Sequence, residues 1–424
     1  MQTFSKQQVT AAEEIITTMM NGGERWVKLS AQMQSGKTDT FYLAACQLLQ
    51  LRVISHVVIM CGSSEKELKR QVTNRRDMIR KYRKYIKVKL QEAKPDISTD
   101  ELIDEIDYII DKVDNDDVFT YMWNCDMQKY IKDSNAEPFK NTLFIWEESH
   151  FAQSIDQVPS KFLIKNKISG NGNSKHLRMN DNYVLSVSAT GFSESIDIFT
   201  MNQDKKDVIL HTGDTYYGVK DMVENGQIIG FQYFEEGLEE ALDKALTSDT
   251  PKYAIVRILN PEKYVSALSI ISSKGFKVVE YNSKALKDKK CSIKSLSDLS
   301  KEPKENQVII IKGMCRMGKQ VPKEHISFVM EASDRPNADT FLQGLLGRMC
   351  GYGQHKDVSI YLSEYSLQMG DLDKYIQWNK TSDIKYVPLH ASNVVAKMHT
   401  TTQVLLRTKL KEYFMYDYDK VENL

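Results

Sequence analysis

Short apolar runs separated by longer mixed stretches dominate the first half of the chain. Trp26–Ser30 reads as a strand, followed by a glycine-containing turn and an apolar helix from Phe41 to Leu51. Val57–Cys61, Val118–Tyr121, Thr142–Trp146 and Tyr183–Val187 read as four further strands. Their apolar residues are continuous rather than alternating. A parallel sheet covered by helices on both faces requires that pattern, because neither face of a strand then meets water. The pattern restarts with Tyr253–Arg257, Phe276–Glu280, Val308–Ile311, Ile326–Val329 and Val358–Tyr361, which predicts a second sheet of the same class. Around residues 200–250 the chain turns polar, as in Asn202–Lys206, and strand signals weaken. The expected organisation is a first domain over 1–205, a second over 206–380 and a helical tail over 381–424. The halves share architecture without a short sequence repeat.

A charge-segregated insertion over about 62–117 separates the second and third strands. Its first part holds Lys69, Arg70, Arg75, Arg76, Arg80, Lys81, Arg83 and Lys84, and its second part holds Asp100, Glu101, Asp104, Glu105, Asp107 and Asp111. Ile103, Ile106, Ile109 and Ile110 recur at helical spacing. Two readings stand: a helix pair whose opposite charges face each other or water, and a basic helix lying near nucleic-acid phosphates.

Composition narrows the field. The 57 basic and 57 acidic residues cancel, which excludes indiscriminate coating of DNA but leaves room for a local basic face. With 41% hydrophobic and 27% charged residues the chain is globular rather than disordered. No apolar run is long enough to span a membrane, and Met1–Lys6 lacks the apolar core of a signal peptide. Cys46, Cys61, Cys125, Cys291, Cys315 and Cys350 form no C-x-x-C pair, so buried thiols in a reducing compartment, cytoplasm or nucleus, are expected rather than zinc or disulfides.

Two segments carry chemistry. Ala31–Thr38 (A-Q-M-Q-S-G-K-T) follows a strand and precedes a helix, the context a phosphate loop needs, although the usual pattern has glycine where Ala31 stands. Backbone N–H groups around Ser35 and Gly36 would wrap a β-phosphate, Lys37 would reach the β- and γ-phosphates, and Thr38 would offer a hydroxyl to Mg²⁺. An ordinary helix start is the alternative. Phe144–His150 (F-I-W-E-E-S-H) places two carboxylates at the C-terminal end of an apolar strand, where doubly wound sheets bind ligands. Glu147 is assigned to the metal and Glu148 to the attacking water. Solvated acids are the alternative. His150 is either a polar bystander or a sensor of the γ-phosphate.

Together these residues resemble superfamily 2 helicases. Ala31–Thr38 looks like motif I (A-x-x-G-x-G-K-T) with Gln34 in place of the middle glycine, and Glu147–His150 looks like the DEAH/DExH box with Glu for Asp. Ser188-Ala189-Thr190 matches the S-A-T of motif III, and Phe4 with Gln8–Ala11 resembles the adenine-reading segment. Lys312–Gly318 lies where motif V would lie, and Gln343–Arg348 resembles motif VI, Q-x-x-G-R-x-x-R. The order is the family's, over roughly residues 4–360, and the flavour is that of compact phage or large-virus helicases, so a virus-encoded protein acting in a host cell is expected.

The resemblance implies two tandem RecA-like domains with ATP and Mg²⁺ in the cleft between them, and nucleic acid, DNA ahead of RNA, crossing both. Gln8, Lys37, Thr38, Glu147 and Glu148 would come from the first domain. Arg348, with Arg316 in reserve, would come from the second. Ser188 and Thr190 would couple the nucleotide site to domain movement. Three departures stand out: Gly351 replaces the last arginine of motif VI, Gln343 lies one residue too far from Gly347, and Glu147 is one methylene longer than Asp. The expected activity is ATP hydrolysis coupled to unwinding or translocation. A non-catalytic ATP-binding clamp and a terminase-type packaging motor are the rivals. Ser169–Lys175 reads as a flexible turn or a strand-contacting loop. Gln403–Tyr418 reads as an amphipathic helix that packs on the second domain or binds a partner protein.

Overall fold

The computed structural model describes residues 3–62, 74–115, 117–149, 156–169, 174–201, 204–282, 285, 293–312, 321–353 and 357–388. His150, Arg316 and Gln403–Tyr418 lie outside the described residues, as do most of Ser169–Lys175 and of Lys312–Gly318. Among the described residues, strands form two six-stranded sheets and one two-stranded ribbon.

The first sheet contains β1 (Trp26–Ala31), β2 (His56–Cys61), β3 (Phe119–Trp123), β4 (Thr142–Glu147), β5 (Tyr183–Ser188) and β6 (Lys205–Leu210), in the order β3-β2-β4-β5-β1-β6 with every pairing parallel. Side chains alternate between two buried layers. Val57, Ile59 and Cys61 enter one apolar cluster while Val58 and Met60 enter another on the opposite face. That double burial is the physical content of the continuous apolar runs. After the ribbon strand β7 (Tyr216–Tyr217), the second sheet takes β8 (Ile228–Phe231), β9 (Tyr253–Arg257), β10 (Lys277–Tyr281), β11 (Gln307–Ile311) and β12 (Ile326–Glu331). β13 (Gly351–Tyr352) completes the ribbon and β14 (Ser359–Ser363) the sheet, whose parallel order is β10-β11-β9-β12-β14-β8.

The division expected between residues 205 and 206 cuts into β6, which pairs with β1 from Trp26–Lys205 to Ala31–Leu210. The first sheet therefore runs through Leu210. Its polar start hid it: Lys205 lies 4.1 Å from the centroid of the Trp26 ring, and Asp207 accepts from the buried Lys28 ammonium at 2.7 Å. Edge strand β8 also gave too short a signal.

In the insertion, the helices Arg75–Ala93 and Thr99–Asp111 press an apolar stripe together, Met78, Tyr82 and Ile86 on one and Leu102, Ile106 and Ile110 on the other. Arg75 pairs with Asp114 at 2.7 Å, and Arg83–Asp107 and Lys94–Glu105 are further ion pairs. These pairs bring part of the opposite charge face to face, while Arg80 pairs with Asp77 of its own helix and Lys81 with Asp39; Lys69 and Arg70 lie outside the described residues. Exposed pairs of this kind add little stability, so the apolar stripe holds the helices together.

The halves meet over a continuous apolar cluster. Met33, Phe192 and Ile196 from the first half share it with Tyr253, Ile255 and Leu346 from the second. The Asp371–Thr381 helix, late in the chain, also returns to the first half. Its Trp378 meets Phe192 edge to face at 4.9 Å and lies 5.1 Å from the Lys28 ammonium.

Candidate functional site

The loop from β1 to the Lys37–Gln50 helix is built on two left-handed backbone positions, Gln34 at φ 56° and Gly36 at φ 94°. Gly36 is favoured by its φ, and a Cβ there would also displace the Gln8 amide. Ser35 turns inward, its hydroxyl donating to Gln32 O at 2.7 Å, and it is buried in the loop. Lys37 Nζ donates to the same carbonyl at 3.3 Å. Desolvation lowers the Lys37 pKa, Glu148 and then Glu147 oppose that fall, and Arg348 adds to it. Gln8 caps the Lys6–Thr17 helix: Ser5 N donates to its Oε1 at 2.8 Å, and its Nε2 donates to Gly36 O at 3.2 Å. Phe4 is buried edge to face against Tyr85 at 5.9 Å.

Glu147 ends β4 and Glu148 follows at φ 52°, a left-handed position that turns its side chain away from the strand's regular alternation. The turn is pinned by Ser149 N donating to Val187 O at 3.1 Å, and by Ser149 Oγ donating to Glu194 at 3.1 Å. Both carboxylates are buried. Burial, then the neighbouring Glu148, raises the Glu147 carboxyl to about 8 against the pull of Lys37, and its Oε2 has no hydrogen-bond partner. Mg²⁺ takes one or two protein oxygens plus phosphate oxygens and waters. A buried orphan carboxylate oxygen beside the Thr38 loop fits that demand. Among the described residues no group of three His, Cys, Asp or Glu could cage an ion without the phosphates.

Arg348 sits on the short Leu345–Met349 helix of the second half and is buried. The extra residue between Gln343 and Gly347 is absorbed by a break at Gly344 between that helix and Ala338–Gln343. Gln343 still reaches across the interface and donates from Nε2 to the Thr190 hydroxyl, while Ser188 Oγ accepts from Thr190 N at 3.0 Å. Gly351, where the pattern has its last arginine, holds φ 132° in the ribbon beside Tyr217. That backbone disfavours arginine.

These parts line one cavity of about 740 Å³ between the halves. Gln8, Gly36, Lys37, Thr38, Glu147 and Glu148 border it from the first half, Gln343, Arg348 and Tyr352 from the second. Ser35, Ser188 and Thr190 are buried and do not line it. Sequence reasoning passed over several lining residues, Asp39 and Tyr352 among them. Asp39, in the first turn of the Lys37–Gln50 helix, pairs with Lys81 of the insertion at 2.8 Å, and Tyr352 lines the cavity from the second half. Helix-start position was a signal for Asp39, Lys81 stood out only as part of the basic run, and nothing local marked Tyr352.

No family model matches the chain. A curated relative, an uncharacterized protein of Acanthamoeba polyphaga mimivirus, is 26% identical over 429 residues, which cover 94% of each protein. Among solved structures, a leucine-to-valine variant of S. cerevisiae Dbp5 bound to RNA and ADP BeF3 aligns at a TM-score of 0.50 and 11% identity, over 91% of this chain and 98% of that one. S. cerevisiae Dbp5 bound to RNA and ADP BeF3 aligns at 0.48 and 11%, over 95% and 97%. Two parallel six-stranded sheets with flanking helices, joined in one chain, make the fold that of tandem RecA-like domains.

Proposed function

We propose that the chain is a nucleic-acid-dependent ATPase, a helicase or translocase that hydrolyses ATP between its two RecA-like domains. One observation carries the reading: a single cavity is lined by the lysine loop and paired carboxylates of one half and by an arginine of the other. The loop's backbone N–H groups and Lys37 hold the β- and γ-phosphates. Glu148 orients the attacking water and takes its proton. Thr38 and Glu147 would hold Mg²⁺, which would neutralise charge on the phosphate oxygens. Arg348 meets the charge that grows on the γ-phosphate. Thr190 and Gln343, joined across the interface, relay changes at the phosphates to the relative position of the halves. Support for nucleic acid as the partner comes from the motif order and from a fold likeness to a protein solved with RNA; DNA and RNA both remain substrates to test. The mimivirus relative fits a virus-encoded protein. Among the described residues no helix is long and apolar enough to cross a membrane.

The test is ATP hydrolysis with and without single- and double-stranded DNA and RNA. The parent should be stimulated by at least one nucleic acid, and Lys37→Ala and Glu148→Gln should each abolish the stimulated rate. Variants that hydrolyse ATP like the parent refute the site. A parent that holds ATP on nucleic acid without turning it over is a clamp instead.

A further inference from the structure

The phosphate loop of this protein touches more than the space where phosphates would lie. Gln34 sits where the resembled motif has glycine, keeps the left-handed backbone that glycine would supply, and spends its side chain across the domain interface. Its Nε2 donates to Arg348 O at 2.9 Å and lies 3.5 Å from Gly347 O. Next to it, Met33 is buried in the apolar cluster that both halves share, and Tyr216 OH donates to Met33 O at 2.6 Å. The fit is close on the other side as well: a Cβ on Gly347 would overlap the Met33 sulfur, and a Cβ on Gly351 would stand 3.4 Å from Gln34 Oε1.

We propose that Gln34 is a positioning residue for Arg348. It ties the loop that grips the phosphates to the backbone of the helix that carries the arginine, so that the two move as one body. The inference rests on the ATPase reading for its consequence, though the tie itself does not. A glycine at this position would leave the arginine helix to be delivered by other contacts, such as those nucleic acid makes on binding both halves. With Gln34 present, delivery is built into the loop. The protein should therefore hydrolyse ATP at an appreciable basal rate without nucleic acid, and Gln34 should set the ratio of basal to stimulated turnover.

Gln34→Gly tests this, because glycine adopts the required φ more readily than glutamine and spares the loop's phosphate-binding backbone. Basal kcat should fall about tenfold while KM for ATP moves less than about threefold, the size expected from losing one or two interface hydrogen bonds. Stimulation by nucleic acid should rise in proportion. In an Arg348→Ala background the same substitution should cost nothing further, since the group it positions is gone. Independent of activity, amide hydrogen exchange over residues 345–351 of the ligand-free protein should speed up in Gln34→Gly. Unchanged exchange there overturns the tie whatever the ATPase data say. Faster exchange with parental basal turnover, or a loss additive with Arg348→Ala, overturns the positioning role. If the parent itself shows no ATP hydrolysis, the ATPase reading fails and exchange alone judges the tie.

Discussion

Glu147 and Glu331 occupy matching places. Each is the last residue of an interior parallel strand, β4 in the first sheet and β12 in the second, and each is buried. Their surroundings differ. Glu331 forms an ion pair with Arg257 on the adjacent strand, and the same guanidinium donates to Thr340 O at 2.9 Å. Burial raises the Glu331 carboxyl, and Arg257 acts against the rise. Glu147 is followed by a second carboxylate that works against its ionisation, and one of its oxygens is orphaned. One acid closes a structural joint. Among the described residues the other has no cation closer than the opposing pull of Lys37 and keeps its proton to higher pH instead, a contrast expected between a group poised for chemistry and one that serves stability.

The largest test of that contrast is on activity. Lys37→Ala should lower stimulated ATP hydrolysis by about 10³-fold or more, and Glu148→Gln should do the same while nucleotide still binds. For Arg348→Ala, binding of an ATP analogue should stay within about threefold and turnover should drop about 10³-fold. Unchanged turnover would move that role to another residue. On the structural side, Arg257→Ala strands Glu331 in the core and should cost about 3–5 kcal/mol in urea unfolding. A loss below about 1 kcal/mol would mean the pair is no joint.

The smallest effect runs the other way. The Glu147 carboxyl lies near 8 in the ligand-free fold against an ordinary value of 4.5. The native state thus holds its proton more tightly than the unfolded chain, and the protein loses stability as pH climbs from 4.5 to about 8. Glu147→Gln removes that loss. It should raise the melting temperature of the ligand-free protein by about 2–4 °C at alkaline pH and by less at pH near 5. Equal shifts at both pH values would show that the carboxyl is not the cause.

Much of the sheet structure could be read from the sequence, because strands buried on both faces announce themselves in continuous apolar runs. β6 could not, since Lys205 and Asp207 satisfy their charges on Trp26 and Lys28 of a strand far away in the chain. The candidate site was legible where chemistry is local: Gly36-Lys37-Thr38 stand at the start of the helix that follows β1, and Glu147-Glu148 at the end of β4. Departures from the motif pattern were visible as letters, but their reasons were not. Gly351 follows from a φ of 132°, the offset of Gln343 from a helix break at Gly344, and Gln34 from carbonyls on the opposite domain. Each reason lies in a tertiary contact or backbone angle that residue type does not specify.

Everything depends on one triphosphate being held from both sides. The most direct measurement is a crystal structure with Mg²⁺ and a non-hydrolysable ATP analogue. The γ-phosphate oxygens should lie about 3 Å from both the Lys37 ammonium and the Arg348 guanidinium. A triphosphate bound outside the interdomain cavity, or one gripped by Lys37 with Arg348 turned out of the cleft, would contradict the account.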